Sequence, residues 1–82
     1  MDIVKCCWNI QRCEAFFQDF LKENGTLVKT IIKKYPIEIF LKNGEHIYVM
    51  TFKTYDMWCL GRTYRHYGGK DIYHSGYLIE GE

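Results

Sequence analysis

No run in these 82 residues approaches the roughly 20 consecutive apolar positions that a membrane-spanning helix needs. The opening MDIVKCC also lacks the basic-then-apolar plan of a secretory signal, so the chain is expected to act in the cytoplasm. A dominant charge is missing as well. With 11 Lys+Arg against 10 Asp+Glu the net charge is +1, which excludes capture of nucleic acid by bulk electrostatics. There is a single proline, and no repeat, linker or low-complexity tract divides the chain. What remains is a composition of 48% hydrophobic and 17% aromatic residues, enough for one packed core in one domain spanning residues 1–82.

The chemistry of most enzymes is equally thin. No glycine-rich phosphate loop ending in Lys-Ser/Thr occurs. Cys6 and Cys7 are adjacent, not spaced as CxxC, and Cys13 and Cys59 stand apart, so reduced thiols are expected and no cofactor is implied. A zinc site from Cys59, His66 and His74, or a Cys59–histidine nucleophile, stays open as a weaker reading. Asp56 and Asp71 are separated by a loop, and Glu80 and Glu82 read as a solvated acidic tail, so no converging acids suit a metal nuclease.

The patterns that are there define elements. Asn9 suits a helix N-cap, and Ile10, Cys13, Phe16, Phe17, Phe20 and Leu21 recur at steps of three and four, which predicts an amphipathic helix over 9–24 with Asn24-Gly25 as a left-handed stop. TLVKTIIKKYP fits a helical face or a strand, and its β-branched residues favour the strand. In IEIFLKNGEHIYVMTF, Asn43-Gly44 predicts a two-residue type I′ turn between strands 37–42 and 45–52. That register would set Ile37, Ile39, Leu41, Tyr48 and Met50 on one face beneath the helix, leaving Phe40, Ile47 and Val49 on a half-apolar reverse face that a second copy could cover. TYDMWCLGR predicts a short helical turn capped by Thr54, with Met57, Trp58 and Leu60 inward and a break at Gly61. Residues 62–70 then read as an exposed loop, and DIYHSGYLI as a further strand. The expected fold is α+β, an N-terminal helix on an antiparallel sheet of three or four strands.

The order helix, basic strand, IEIFLKNGEHIYVMTF, LGRTYR and DIYHSGYLIEGE resembles a stretch of phage terminase large subunits and related P-loop ATPases, where a hairpin precedes an RGR loop and an acid-ended strand. The family's magnesium and catalytic acids correspond here to His74, Ser75 and Gly76, so the resemblance implies a phage or mobile-element accessory protein without ATP hydrolysis. Such a protein would engage a protein or nucleoprotein partner, for instance as an inhibitor of a host defence complex.

Local charge and aromatics converge on one stretch. Residues 26–53 hold five lysines against Glu38 and Glu45, and GRTYRHYGGK interleaves Arg62, Tyr64, Arg65, His66, Tyr67 and Lys70. Such cations contact phosphates and such rings stack on bases, which suits a nucleotide or single-stranded nucleic acid; the same residue types dominate protein interfaces. Tyrosines at a sheet edge also serve to cover a core while their hydroxyls reach water, a reading that fits Tyr48, Tyr73 and Tyr77. The expectation is a non-enzymatic binding protein acting through Arg62 to Lys70.

Overall fold

Asp2–Cys7, a segment the periodicity leaves without an assignment, forms the strand around which the rest is arranged. The computed structural model of the chain describes residues 2–67. In order they form β1 (Asp2–Cys7), α1 (Ile10–Asn24), a 3-10 turn (Gly25–Leu27), β2 (Val28–Ile32), β3 (Ile37–Leu41), β4 (His46–Thr51), α2 (Phe52–Trp58) and β5 (Tyr64–His66). The sheet order is β2-β3-β4-β1-β5, with β1 parallel to both β4 and β5 and the other pairs antiparallel. The α+β class is as expected, but the sheet is mixed and has five strands where three or four antiparallel ones were expected. Gly68, Gly69, Lys70, His74 and the strand expected in DIYHSGYLI lie outside the described residues.

β1 lies inside because both of its faces are covered. Ile3 and Cys7 pack under α1 with Cys13, Phe17 and Phe20, while Val4 and Cys6 pack on the opposite face with Met50, Phe52 and Tyr55 of β4 and α2. A strand buried on both sides loses the apolar-polar alternation by which strands are recognised. Burying such side chains contributes about 1.5–3 kcal/mol each, which outweighs the weak local β signal.

α1 starts as predicted: the Asn9 side chain accepts the Arg12 N–H at 2.9 Å. Its end differs. Gly25 has φ −56° and continues right-handed into the 3-10 turn, so it is not a left-handed stop.

The β3–β4 hairpin forms, in a different register. Observed pairs are Ile37↔Val49, Glu38↔Tyr48, Ile39↔Ile47 and Phe40↔His46, one residue away from the expected pairing. A type I′ turn needs positive φ at both central residues, and among the described non-glycine residues none has positive φ, Asn43 included. Lys42, Asn43 and Gly44 instead make a three-residue loop. The Gly44 N–H bonds the Leu41 carbonyl at 3.1 Å, and the Leu41 N–H reaches the Glu45 carbonyl at 2.9 Å. Gly44 takes φ +93°, and Asn43 Oδ1 accepts the Glu45 N–H at 2.9 Å. One added loop residue turns β4 over. Ile47 and Val49 therefore join Ile37, Ile39 and Leu41 beneath α1, and Phe40 shares the reverse face with His46 and Tyr48.

α2 is likewise displaced from its expected start. Thr51, not Thr54, is the N-cap, its Oγ1 accepting the Thr54 N–H at 3.3 Å. Counting from Phe52, the inward positions are Phe52, Tyr55 and Trp58, and Met57 and Leu60 point out at 80% and 76% exposure. Gly61 does break the element, at φ +70°.

Candidate functional site

The stretch expected as a loop at 62–70 becomes strand β5 at Tyr64–His66, paired Asp2↔Tyr64, Ile3↔Arg65 and Val4↔His66. Alternation then divides the candidate residues between the two faces of the sheet. Arg65 and Tyr67 fall on the α1 side. Arg65 is ion-paired with Glu45, whose carboxyl is held below its ordinary range by the Asn43 hydrogen bond first and by Arg65 second. Tyr67 sets its ring edge-on to Phe16, centroids 5.0 Å apart, and lies 6.2 Å from Phe20.

Tyr64 and His66 fall on the α2 side, where the Tyr64 hydroxyl bonds that of Tyr55 and the His66 ring lies 5.3 Å from Tyr64 and 5.9 Å from Tyr55. Burial, reinforced by the Tyr64 bond, pushes the Tyr55 hydroxyl up, so Tyr55 stays protonated at neutral pH. Tyr64 packs against the second core, and Tyr64 and His66 are both half-buried. Of the expected set, Arg62 is the exposed member on this face. Gly61 turns the chain back, the Arg62 N–H bonds the Cys59 carbonyl at 3.2 Å, and the guanidinium comes to rest 4.8 Å from the Trp58 ring centroid.

Trp58 extends a row of rings across the sheet. Phe40 stacks on His46 at 4.0 Å, His46 lies 4.2 Å from Tyr48, and Tyr48 lies 5.0 Å from Trp58, which is 5.1 Å from Tyr64. Carboxylates flank the row: Glu38 is 3.0 Å from His46 Nε2 and Asp2 is 3.8 Å from Nδ1. His46 is half-buried between them. The Tyr48 hydroxyl is raised by burial, then by Asp2 and Glu38, with Arg62 opposing. At the far end of α2, Trp8 is 56% exposed and packs its ring 5.3 Å from Phe52.

Trp58 is inward as expected, but Met57 and Leu60, expected inward with it, are exposed beside it in sequence. Phe52, Tyr55 and Trp58 at steps of three are the signal that separates them, once the cap is Thr51.

The four cysteines are thiols, and burial pushes Cys6 up to about 12, leaving it un-ionised at neutral pH. Cys59 is half-buried and donates its thiol to the Asp56 carbonyl at 3.6 Å. Among the described residues no three His, Cys, Asp or Glu side chains come together as a metal site, and His74 lies outside them. No described helix is long and apolar enough to cross a membrane. The chain matches no family model, no curated protein sequence and no solved structure.

Proposed function

We propose that this chain is a non-enzymatic binding module that engages a protein partner through the C-terminal end of α2. The observation that carries the reading is the Arg62 guanidinium stacked on Trp58, with exposed Met57 and Leu60 on either side of it in sequence. Trp, Arg and Met are enriched in the centres of protein interfaces, and such anchors hold most of the binding energy. Trp58 Nε1 is itself buried, without a hydrogen-bond partner among the described residues, so the polar group that this end of α2 presents outward is the Arg62 guanidinium. The partner surface therefore offers an apolar pocket rimmed by a carboxylate that meets Arg62. An inhibitor of a host defence complex, the role implied by the terminase-like resemblance, is one protein of this kind.

A second reading has one observation in its favour: the row Phe40, His46, Tyr48, Trp58 could stack bases of a nucleotide or single-stranded nucleic acid. Stacking contributes about 1–3 kcal/mol per base. Asp2 and Glu38 stand beside the row, and each phosphate brought within about 4 Å of a carboxylate costs about 1 kcal/mol in water and several times more when desolvated. The two effects offset each other, which leaves the protein partner favoured.

The test begins with a partner captured from lysate and then purified. Its affinity for the wild type is compared with that for Met57→Ala, Leu60→Ala and Arg62→Ala, with Arg65→Ala on the other face as control. Losses of tenfold or more in the first three and near-wild-type binding by the control are expected. Undiminished binding by all three sinks the proposal. Fluorescence anisotropy with a single-stranded oligonucleotide at low salt is expected to give no saturable binding, and a steeply salt-dependent affinity would move the function to the second reading.

A further inference from the structure

We propose that the cleft between α1 and residues 33–37 binds a small zwitterion of the amino-acid class, with Glu14 meeting its ammonium and Lys33 its carboxylate. Ile10, Glu14, Phe17 and Gln18 fall at steps of three and four along α1 and so share one flank of the helix. Lys33 and Tyr35 come from the connection between β2 and β3, and Ile37 is the first residue of β3. Between these two walls lies a cavity of about 270 Å³ lined by the seven residues.

The apolar part of the lining is built into the core. Phe17 and Ile37, at 3% and 4% exposure, belong to the cluster beneath α1. The Tyr35 hydroxyl is engaged with Thr51 and Thr54, so Tyr35 offers the cavity its ring. Ile10, 49% exposed, is an apolar side chain that a bound ligand would cover. The polar groups are three, the Glu14 carboxylate, the Gln18 amide and the Lys33 ammonium, all on exposed residues. Among the described residues none of the three is held in an ion pair or a side-chain hydrogen bond, so their polar ends are open to a ligand. A lone anion here would meet Glu14 and a lone cation would meet Lys33. A molecule that carries both charges on a short apolar body satisfies the two walls together, and Gln18, one turn after Glu14, can accept from its ammonium or donate to its carboxylate. Apolar walls with a few polar groups that fix orientation are the usual make-up of a small-molecule site, and the volume, just below the range for drug-sized ligands, suits a molecule the size of an amino acid.

The full chain, labelled for NMR, is titrated at low ionic strength with leucine and, in separate arms, with isocaproate, which lacks the ammonium, and isoamylamine, which lacks the carboxylate. Saturable shifts at the amides of Glu14, Gln18 and Tyr35 are expected with leucine, with a dissociation constant on the order of millimolar. Each of the other two compounds is expected to bind several-fold more weakly. Glu14→Gln is expected to bring leucine down to the affinity of isocaproate, and Lys33→Met to bring it down to that of isoamylamine. Both residues are exposed, so neither change disturbs the core. Shifts that do not saturate with leucine, binding of isocaproate or isoamylamine as tight as that of leucine, or a leucine affinity unchanged in either variant overturns the proposal.

Discussion

The Tyr35 hydroxyl accepts the Thr51 backbone N–H at 2.7 Å and donates to Thr54 Oγ1 at 2.7 Å, with Thr51 Oγ1 at 3.1 Å. One phenol thereby holds the segment before β3 to the cap of α2. Tyr35→Phe removes the acceptor and leaves the Thr51 N–H half-buried without it, so a loss of about 1–2 kcal/mol is expected in urea denaturation. Cys6 and Tyr55 act on pH dependence instead. Burial raises Cys6 from its ordinary 9.0 to about 12 and raises Tyr55 above its ordinary 10.0. Both therefore lose their protons more readily in the unfolded chain. The stability they confer is intact below about pH 9 and drains away as the pH climbs toward 12. Urea midpoints measured from roughly pH 8 to roughly pH 11 should fall steadily, and iodoacetamide at neutral pH should label Cys59 well before Cys6.

Among the elements, the hairpin loop offers the sharpest substitution. Gly44 at φ +93° has nothing within 4 Å of an added Cβ, so Gly44→Ala is a purely conformational change expected to cost about 1–2 kcal/mol. A cost near zero in thermal denaturation would contradict the left-handed loop. Asn9→Ala should cost about 1 kcal/mol through the lost cap. α1 was legible because its apolar residues face one side only and its cap is a single residue with one available partner. The hairpin was legible as an element and illegible in register, since Asn43-Gly44 fits a two-residue loop or the last two positions of a three-residue one, and only the sign of φ at Asn43 decides between them. β1 was hidden by burial on both faces and by a lysine at its centre. Of the candidate site, Arg62 could be read from its glycine-flanked position, but the exposure of Met57 and Leu60 depends on whether α2 begins after Thr51 or after Thr54. With Phe52 inside the helix, Phe52, Tyr55 and Trp58 at steps of three take the inward face and leave Met57 in water.

At the scale of the whole molecule, the register also changes what self-association would require. Ile47 and Val49, expected on an uncovered face, are buried under α1 at 1% and 0% exposure, leaving Phe40 alone of the three on the reverse side. The patch that was to recruit a second copy is thereby reduced, and light scattering is expected to return the mass of one chain, 9.9 kDa. The same mixed topology has a consequence for how the protein is made. β1 is made before the other strands of the sheet, yet its two neighbours are β4 and β5, so Ile3 waits for Ile47 and then for Arg65. At 5–20 residues per second Ile47 follows after about 2–9 s and Arg65 after about 3–12 s, and until β4 emerges a strand apolar on both sides has neither partner. Chains halted before Tyr64 would carry β1 with one edge open, and such products are expected to be degraded or to aggregate and not to persist as smaller folded forms.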